Sequence, residues 1–244
     1  MIINFIGECV INLFLALRFL FSGHINWKNT LFQSAKIGYD SIPISLVISL
    51  VSGAVFSLQV SKQFVQSGAD AYIGGLISVA IVREMAPVFA SLAIAARAGT
   101  AIAAEVGNMK VTEQVDALKT LKVDPIEYLL LPRLIAGFTM VPLITILSIL
   151  IGVLGGMVIA KFSVGLHHNL YYTSVWHSLR PYDIYVSLVK GAVFGVLITL
   201  ICTTHGLLTS GGAKEVGQST TKAAVYTAIA ILLFDYLITW IYYS

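Results

Sequence analysis

Long apolar stretches separated by short polar segments make up most of the chain. A helix rises 1.5 Å per residue, so about 20 apolar residues cross the hydrocarbon layer of a membrane. Five stretches meet this length: Ile42–Val60, Ala71–Ala104, Tyr128–Ala160, Ile184–Leu208 and Ala223–Tyr243. The second and third exceed one crossing, which indicates helices that tilt or project beyond the bilayer. Pro132 and Pro142 predict kinks in the third stretch, because proline removes a backbone donor.

The N-terminal segment, residues 1–23, has two interpretations. Asn4, Glu8 and Asn12 recur every fourth residue and form a polar stripe on an apolar helix. Such a helix can lie in the membrane interface, and we favour this interpretation over a sixth, short crossing. The Ser22-Gly23-His24 sequence then predicts a break. No basic region precedes the segment and no small-residue cleavage site follows it, which argues against a signal peptide.

Composition supports a membrane protein and excludes several other classes. The chain is 57% hydrophobic and 11% charged, whereas soluble domains are about 25% charged. The net charge of +3 is spread thinly, so no nucleic-acid partner is expected. Cys9 and Cys202 lie far apart in apolar segments, which argues against a disulfide framework. We therefore expect one membrane domain, with an interfacial helix and elbow over residues 1–40 and a transmembrane bundle over residues 41–244.

No sequence pattern indicates an enzyme. The Gly-x-Ser-x-Gly pattern of a serine nucleophile is absent. His167, His168 and His177 lie in the segment Phe162–Tyr182, but no acidic or cysteine ligand joins them at a familiar spacing. We interpret them as ordinary loop or interfacial histidines, and we expect neither a metal nor a cofactor.

The basic residues predict an orientation. With the N-terminus inside and five crossings, ten of the 15 Lys and Arg residues fall on the inner side, three fall outside, and Arg83 and Lys190 are embedded. An inner excess of basic residues is the usual bias of membrane proteins. The N-terminus is therefore expected in the cytoplasm or stroma, and the C-terminus on the opposite side.

A charged segment follows the second apolar stretch. Nine charged residues lie between Glu105 and Arg133. An apolar face runs beside them at helical spacing, through Val111, Val115, Leu118 and Leu121. Pro125 is expected to end this helix near Val123. The apolar face can rest on the protein's own spans, or the helix can dock into a groove of a soluble partner, and the pattern alone leaves both open.

Here the chain resembles a known family, the MlaE permeases. The resemblance rests on five sequence segments: Val82-Arg83-Glu84-Met85-Ala86-Pro87, Arg97-Ala98-Gly99, Ala104 to Leu118, Val123-Asp124-Pro125 and Pro132-Arg133. The order of the spans, Lys190 and Asp235 extend it over nearly the whole chain. The sequence departs from the family at Lys122 and Ala86, where glycine is common. The departure at Lys122 bears on how the charged helix turns into the third span.

The resemblance implies a fold and a function. The fold is all-α, with an N-terminal interfacial helix, five transmembrane helices, and a cytoplasmic coupling helix between the second and third. The protein would be the permease subunit of an ABC transporter that moves lipids, with the coupling helix meeting the ATPase. That role falls on eight residues: Glu105, Met109, Thr112, Glu113, Gln114, Asp116, Leu118 and Asp124.

The resemblance also implies partners and a location. They are a second copy of the chain, a P-loop ATPase subunit, an MCE-type lipid-binding protein, and a lipid substrate of the phospholipid class. The chain itself contains no Gly-Lys dipeptide and so has no phosphate-binding P-loop. Another polypeptide must therefore hydrolyse any ATP. The expected location is a bacterial inner membrane or the inner envelope of a plastid.

Four charged residues, Arg83, Glu84, Lys190 and Asp235, lie inside apolar stretches, where an ionised group costs at least about 2.5 kcal/mol. Lys190 lies about 9 Å from the outer end of its span, and Asp235 about 12 Å. These depths predict a Lys190–Asp235 pair, which either locks two helices together or borders a lipid cavity. Arg83 and Glu84 are adjacent, so we expect one of them to face away, towards a dimer cavity.

Small residues raise a related question. Gly99 with Ala103, and Gly152 with Gly156, have the spacing that lets membrane helices approach closely. Contacts within the chain and contacts between two copies explain them equally well.

Two other functions fit a membrane protein of this composition. A secondary transporter working alone would favour internal repeats around a midplane site, and we find no clear repeat. A non-transporting scaffold would use the charged helix only to bind another protein.

Overall fold

The computed structural model describes residues 2–23 and 25–243, and within these ranges the chain forms helices and no strand. The helices are α1 (Ile2–Phe21), α2 (Trp27–Ile37), α3 (Ile42–Gln66), α4 (Ile73–Ala80), α5 (Ala86–Ile94), α6 (Thr100–Val111), α7 (Gln114–Thr120), α8 (Leu131–Val164), α9 (His168–Ser178), α10 (Pro181–Leu207) and α11 (Ala213–Tyr243).

Three π-helical turns interrupt the regular helices. Ile81–Met85 and Ala95–Gly99 join α4, α5 and α6 into one helix from Ile73 to Val111, and Ile126–Leu130 leads into α8. A π-helical turn carries i→i+5 hydrogen bonds and is frequent at functional sites. Pro132 lies in the first turn of α8, where a backbone donor is not needed, and the helix continues through Pro142.

Six stretches are long and apolar enough to cross a membrane, judged by length and composition. Five of them match the five predicted spans: four contain their span in full, and the other, Pro181–Leu207, ends one residue before the predicted end at Leu208. The sixth, Ile3–Phe21, is the N-terminal helix, whose interfacial placement stays a prediction. The predicted break ends at His24, which lies outside the described residues. The segment between α8 and α10, predicted to be a loop, contains the helix α9.

Helices α3 and α8 touch at backbone level. Small residues occupy one buried face of α3 at every fourth position: Ser45, Ser49, Gly53, Ser57 and Ser61. A Cβ atom at Gly53 would lie 2.2 Å from the carbonyl oxygen of Gly152. Ser57 Oγ donates a hydrogen bond of 2.7 Å to the carbonyl of Gly156. Contacts within the chain therefore account for the Gly152 and Gly156 spacing.

Helices α8 and α10 approach equally closely. A Cβ atom at Gly195 would lie 2.1 Å from the Gly137 carbonyl oxygen, and one at Gly137 would lie 2.5 Å from that of Gly195. Gly99 faces Cys202 on α10, and Ala103 is fully buried in the largest core cluster. Contacts within the chain thus also explain the spacing of Gly99 and Ala103.

The outer surface of the bundle is apolar. Val47 and Val51 on α3, and Leu232 and Leu233 on α11, are each more than half exposed. Large aliphatic side chains on several helices in succession are typical of a surface that contacts acyl chains, because charged groups there are costly. Two ends of the bundle can be distinguished, one carrying α7 and the other α9.

The glycine contact between α8 and α10 can be tested by adding one methyl group. Gly195→Ala places Cβ against the Gly137 carbonyl, and since both are backbone, the helices must separate. We expect the free energy of unfolding to fall by about 1–3 kcal/mol, measured by thermal unfolding in detergent.

Gly217→Ala is the matched control. Gly217 lies in α11, and a Cβ atom added there would meet no other atom within 4 Å. Alanine should therefore leave stability unchanged or raise it by up to about 1 kcal/mol. A Gly195→Ala protein as stable as the Gly217→Ala protein would contradict the backbone contact.

Candidate functional site

The charged segment folds as a compact knob at one end of the bundle, residues 112–122, which we call the α7 knob. Helix α6 ends at Val111, and Glu113 follows with a left-handed backbone, φ 62°. This reversal lets α7 begin at Gln114 in a new direction. The short amphipathic helix predicted from Val111 to near Val123 is therefore interrupted at Glu113: Val111 ends α6, and α7 covers only Gln114–Thr120.

A second left-handed residue ends α7. Lys122 has φ 59°, and two backbone bonds surround it: Lys122 N–H donates to Lys119 and Val123 N–H donates to Leu118. This pair of bonds is the Schellman pattern, whose left-handed position usually holds glycine. A lysine there costs roughly 1–2 kcal/mol of backbone strain. The departure at Lys122 thus falls on a position that glycine suits better.

One face of the α7 knob anchors it and the other is exposed. Val115 is buried, and Met109 and Leu118 pack against the main core. The tip consists of three exposed residues: Thr112, Glu113 and Gln114.

Leu121 does not belong to the predicted apolar face. Its side chain is 73% exposed, since the chain has already left α7 at this point.

A shared carboxylate fixes the shape of the α7 knob. Asp116 accepts from Lys110 Nζ at 3.0 Å and from Lys119 Nζ at 3.2 Å. Hydrogen bonds from Lys110 and then Lys119 hold the pKa of the Asp116 carboxyl below its usual value. The acid therefore stays ionised at neutral pH and links the end of α6 to α7. Asp124 has a different task, since its Oδ1 accepts from the backbone of Ile126 at 2.8 Å.

Glu105 lies at the base of the α7 knob in a second ion cluster. Its carboxylate pairs with Lys36 of α2 and, at 3.0 Å, with Arg133 of α8. Arg133 is 2% exposed and also donates to the Leu129 carbonyl at 2.6 Å. Glu105 therefore braces three helices. The sequence did not reveal this cluster, because its members lie far apart along the chain.

The embedded charges meet at a third cluster. Lys190 Nζ lies 2.7 Å from Asp235 Oδ1 and 2.8 Å from Glu84 Oε2, and its side chain is fully buried. The pair predicted from depth is present, with Glu84 as an additional acid. Thr239 Oγ1 donates to the other Glu84 oxygen at 3.0 Å.

Arg83 joins the same region through a residue that the sequence analysis missed. Its guanidinium lies 2.8 Å from Asp183 Oδ1 and 4.4 Å from the centre of the Tyr243 ring. Tyr243 OH donates to Asp183 Oδ1 at 3.0 Å. Arg83 and Glu84 both lie in the π-helical turn and both pair with residues of α10, while Glu84 keeps 42% of its side chain exposed, so a dimer cavity beside it stays a prediction. Asp183 stands at the first turn of α10, outside the predicted span, so it was not counted as embedded.

The polar stripe of α1 packs against protein at one of its three residues, Asn12. Asn12 Nδ2 donates to Thr204 Oγ1 at 3.1 Å, and the Phe5 ring stacks on His205 with centroids 4.1 Å apart. Asn4 and Glu8 line a cavity of about 440 Å³ between α1, α10 and α11. Asn12 is buried, whereas Asn4 and Glu8 are exposed, so the interfacial placement of α1 stays a prediction.

Known proteins similar to this chain are membrane transport subunits. A family model described as Permease MlaE matches residues 30–241. A probable ABC transporter permease protein of Synechocystis sp. is 42% identical over 225 residues, which cover 92% of this chain and 86% of the relative. Protein TRIGALACTOSYLDIACYLGLYCEROL 1, chloroplastic, of Arabidopsis thaliana is 37% identical, over 92% of this chain and 64% of the relative. A probable ABC transporter permease protein of Rickettsia felis is 41% identical, over 87% and 82%.

The Lys190 cluster predicts unequal costs for its members. Lys190→Met leaves the Glu84 and Asp235 carboxylates facing each other, and we expect the free energy of unfolding to fall by about 3–5 kcal/mol. Asp235→Asn should lower the free energy of unfolding by less, because the ammonium of Lys190 still pairs with the Glu84 carboxylate. Thermal unfolding of the purified variants measures both.

A double variant provides the control. Lys190→Met should cost less in an Asp235→Asn background, since one of the two opposed acids is then neutral. Equal costs in both backgrounds would contradict the cluster. The exchange of Lys190 and Asp235 is not expected to restore stability, because it sets an aspartate beside Glu84.

Proposed function

The chain belongs to the MlaE permease family, and we propose that it is the membrane subunit of an ABC transporter that moves lipids between membranes, energised by a separate ATPase. The observation that carries the proposal is the α7 knob. It is charged and exposed at its tip, and it directly follows the long helix that runs from Ile73 to Val111. An element of this kind suits the groove of a soluble partner.

The eight residues of the coupling role lie in the α7 knob or next to it, and they divide by what they contribute to it. Thr112, Glu113, Gln114 and Asp116 would present the surface that the ATPase contacts. Met109 and Leu118 hold that surface against the core. Glu105 and Asp124 fix the base through the ion cluster and the bond to the Ile126 backbone.

Movement of the α7 knob would be transmitted along the long helix to the embedded charges around Glu84. From Ile73 to Val111 the chain is one helix, and Glu84 lies about 40 Å from Val111 along it. ATP binding and hydrolysis can shift the bundle only if the ATPase holds the α7 knob differently in its two states. The long helix would carry that difference into the membrane.

A lipid substrate is supported by the apolar, membrane-embedded surroundings of the Lys190 cluster and by the relatives. Glu84 keeps 42% of its side chain exposed, so the cluster is not sealed from a ligand. The name of the Arabidopsis relative contains that of a glycolipid. A phospholipid or a related polar lipid, with a headgroup that can bond charged side chains, would fit here.

The proposal includes an assembly and an orientation. Two copies of the chain would pair around a lipid-accessible cavity, with two ATPase subunits at the α7 end and an MCE-type lipid-binding protein at the α9 end. The α7 end would face the cytoplasm of a bacterium or the stroma of a plastid, and the membrane would be the bacterial inner membrane or the plastid inner envelope.

Charge inversion at the exposed tip tests ATPase docking. Glu113 forms no ion pair within the described residues, so Glu113→Lys should leave the fold intact and disturb only the contact surface. We expect a P-loop ATPase to copurify with the wild type from its native membrane in mild detergent. With Glu113→Lys we expect the recovered ATPase to fall at least fivefold.

Lys214→Glu is the control, because Lys214 is exposed at the start of α11, outside the α7 knob. It should retain the ATPase as the wild type does. If no ATPase copurifies with any variant under mild conditions, the proposed function is wrong, and a scaffold or an independent transporter explains the chain better.

An ATPase assay in reconstituted vesicles can distinguish a transporter from a non-transporting scaffold. We expect the assembled complex to hydrolyse ATP faster when its lipid substrate is present, because substrate and ATPase would act on the same two-state bundle. ATP hydrolysis that is indifferent to every polar lipid tested would support a scaffold.

A further inference from the structure

A second cavity lies beside the α7 knob, with a volume of about 550 Å³. The cavity is open to the surface, and it is lined by α1, the end of α6, the α7 knob, the turn that follows it and the end of α10. Its floor is apolar and includes Leu15, Val115 and Leu207. Of the eight residues of the coupling role only Asp124 lines this cavity, and the tip residues Thr112 and Glu113 do not.

Three lysines line the same cavity: Lys110, Lys119 and Lys122. Asp116 pairs with the first two, and Asp124 is the acid among the lining residues. Three ammonium groups against two carboxylates leave a positive excess. Lys122 forms no ion pair within the described residues, so its ammonium is available to a ligand.

The backbone at Lys122 is a second, independent observation. Its φ of 59° is left-handed, a conformation in which glycine would avoid the strain of a side chain. Strained positions are concentrated where a side chain has a function. Here the side chain that occupies the strained position lines the cavity and supplies its unpaired cation.

We propose that this cavity binds the headgroup of an anionic phospholipid from the leaflet at the α7 end. The phosphate would contact the lysines, and the start of the acyl chains would lie on the apolar floor. Basic pockets at the ends of membrane helices suit such headgroups. The floor and the exposed Phe14 and Leu17 of α1 favour a lipid over a soluble anion.

The bound lipid would join α1 to the α7 knob, because each contributes to the cavity. Occupancy would then limit how far the α7 knob can move. This regulatory consequence rests on the proposed function, whereas the binding itself does not.

Native mass spectrometry of the full chain in detergent tests the binding. The probes are phosphatidylglycerol and phosphatidylcholine at equal concentrations, added without any ATPase. We expect the wild type to prefer phosphatidylglycerol. Lys122→Gly and Lys119→Gln should each weaken its binding about fivefold, since one lysine near anionic lipid contributes about that factor. Binding of phosphatidylcholine should not change.

Two features keep the experiment decisive. Lys122→Gly relieves the strained backbone and should fold at least as well as the wild type, so its loss of lipid cannot come from misfolding. Lys214→Gln removes an exposed lysine outside the cavity and should bind as the wild type does. Equal weakening in Lys214→Gln would mean a general effect of charge and would overturn the site.

Two further results would overturn the proposal. One is unchanged phosphatidylglycerol binding in both cavity variants. The other is displacement of the lipid by inorganic phosphate at similar concentration, which would make the cavity a site for soluble anions.

Hydrogen exchange gives a second readout. Phosphatidylglycerol should slow amide exchange in residues 114–120 of the wild type and not of Lys122→Gly. An equal effect on both proteins would contradict binding at this cavity. Both readouts need only the permease chain, so their failure is distinguishable from a failure of ATPase docking.

Discussion

The close approach of α8 to its two neighbours is the contact on which the rest of the bundle depends. In lipid, apolar side chains gain little by leaving their surroundings, so helices associate through tight packing and polar bonds. Gly53 meets Gly152 on one side of α8, and Gly137 meets Gly195 on another, each at a distance that excludes a Cβ atom. These contacts fix α3 and α10 against α8 at the shortest separation that helices allow. The remaining helices then pack on this trio.

The ion clusters act on helices that glycine contacts have already brought together. The Lys190 cluster joins the π-helical turn before α5 to α10 and α11, and the Glu105 cluster joins α2, α6 and α8. Buried ion pairs contribute little net stability, because desolvation offsets their attraction. They do make every other arrangement costly, since a helix that rotated away would leave an unpaired charge in an apolar surrounding. Their main effect is therefore on which faces pair.

The sequence was sufficient for features that depend on local length and depth. Apolar stretches predicted the five long helices, and depth alone predicted that Lys190 meets Asp235.

Features that depend on a single backbone angle, or on residues far apart along the chain, could not be predicted from the sequence. The left-handed Glu113 breaks the charged helix in two, and nothing in its residue type signals this, because glutamate is common in regular helices. Asp183 and Glu105 find partners from other helices, so their roles required the fold. The burial of Asn12 in the polar stripe of α1 was also unpredictable, because its partner on α10, Thr204, lies 192 residues away.

The burial of α6 determines what a displacement of the α7 knob can do. Ile102, Ala103 and Val106 are at most 1% exposed, and Gly206 of α10 lies so close to Val106 that no side chain would fit between them. Helix α6 therefore cannot turn or slide alone without breaking this contact. The Asp116 carboxylate also pairs with Lys110, which joins α7 to the end of α6 on the other side of Glu113. In the proposed transporter, a displacement of the α7 knob would therefore be passed to α6 and α10 together, and α10 carries Lys190. The exposed tip and the fully buried ammonium of Lys190 would then move as parts of one unit.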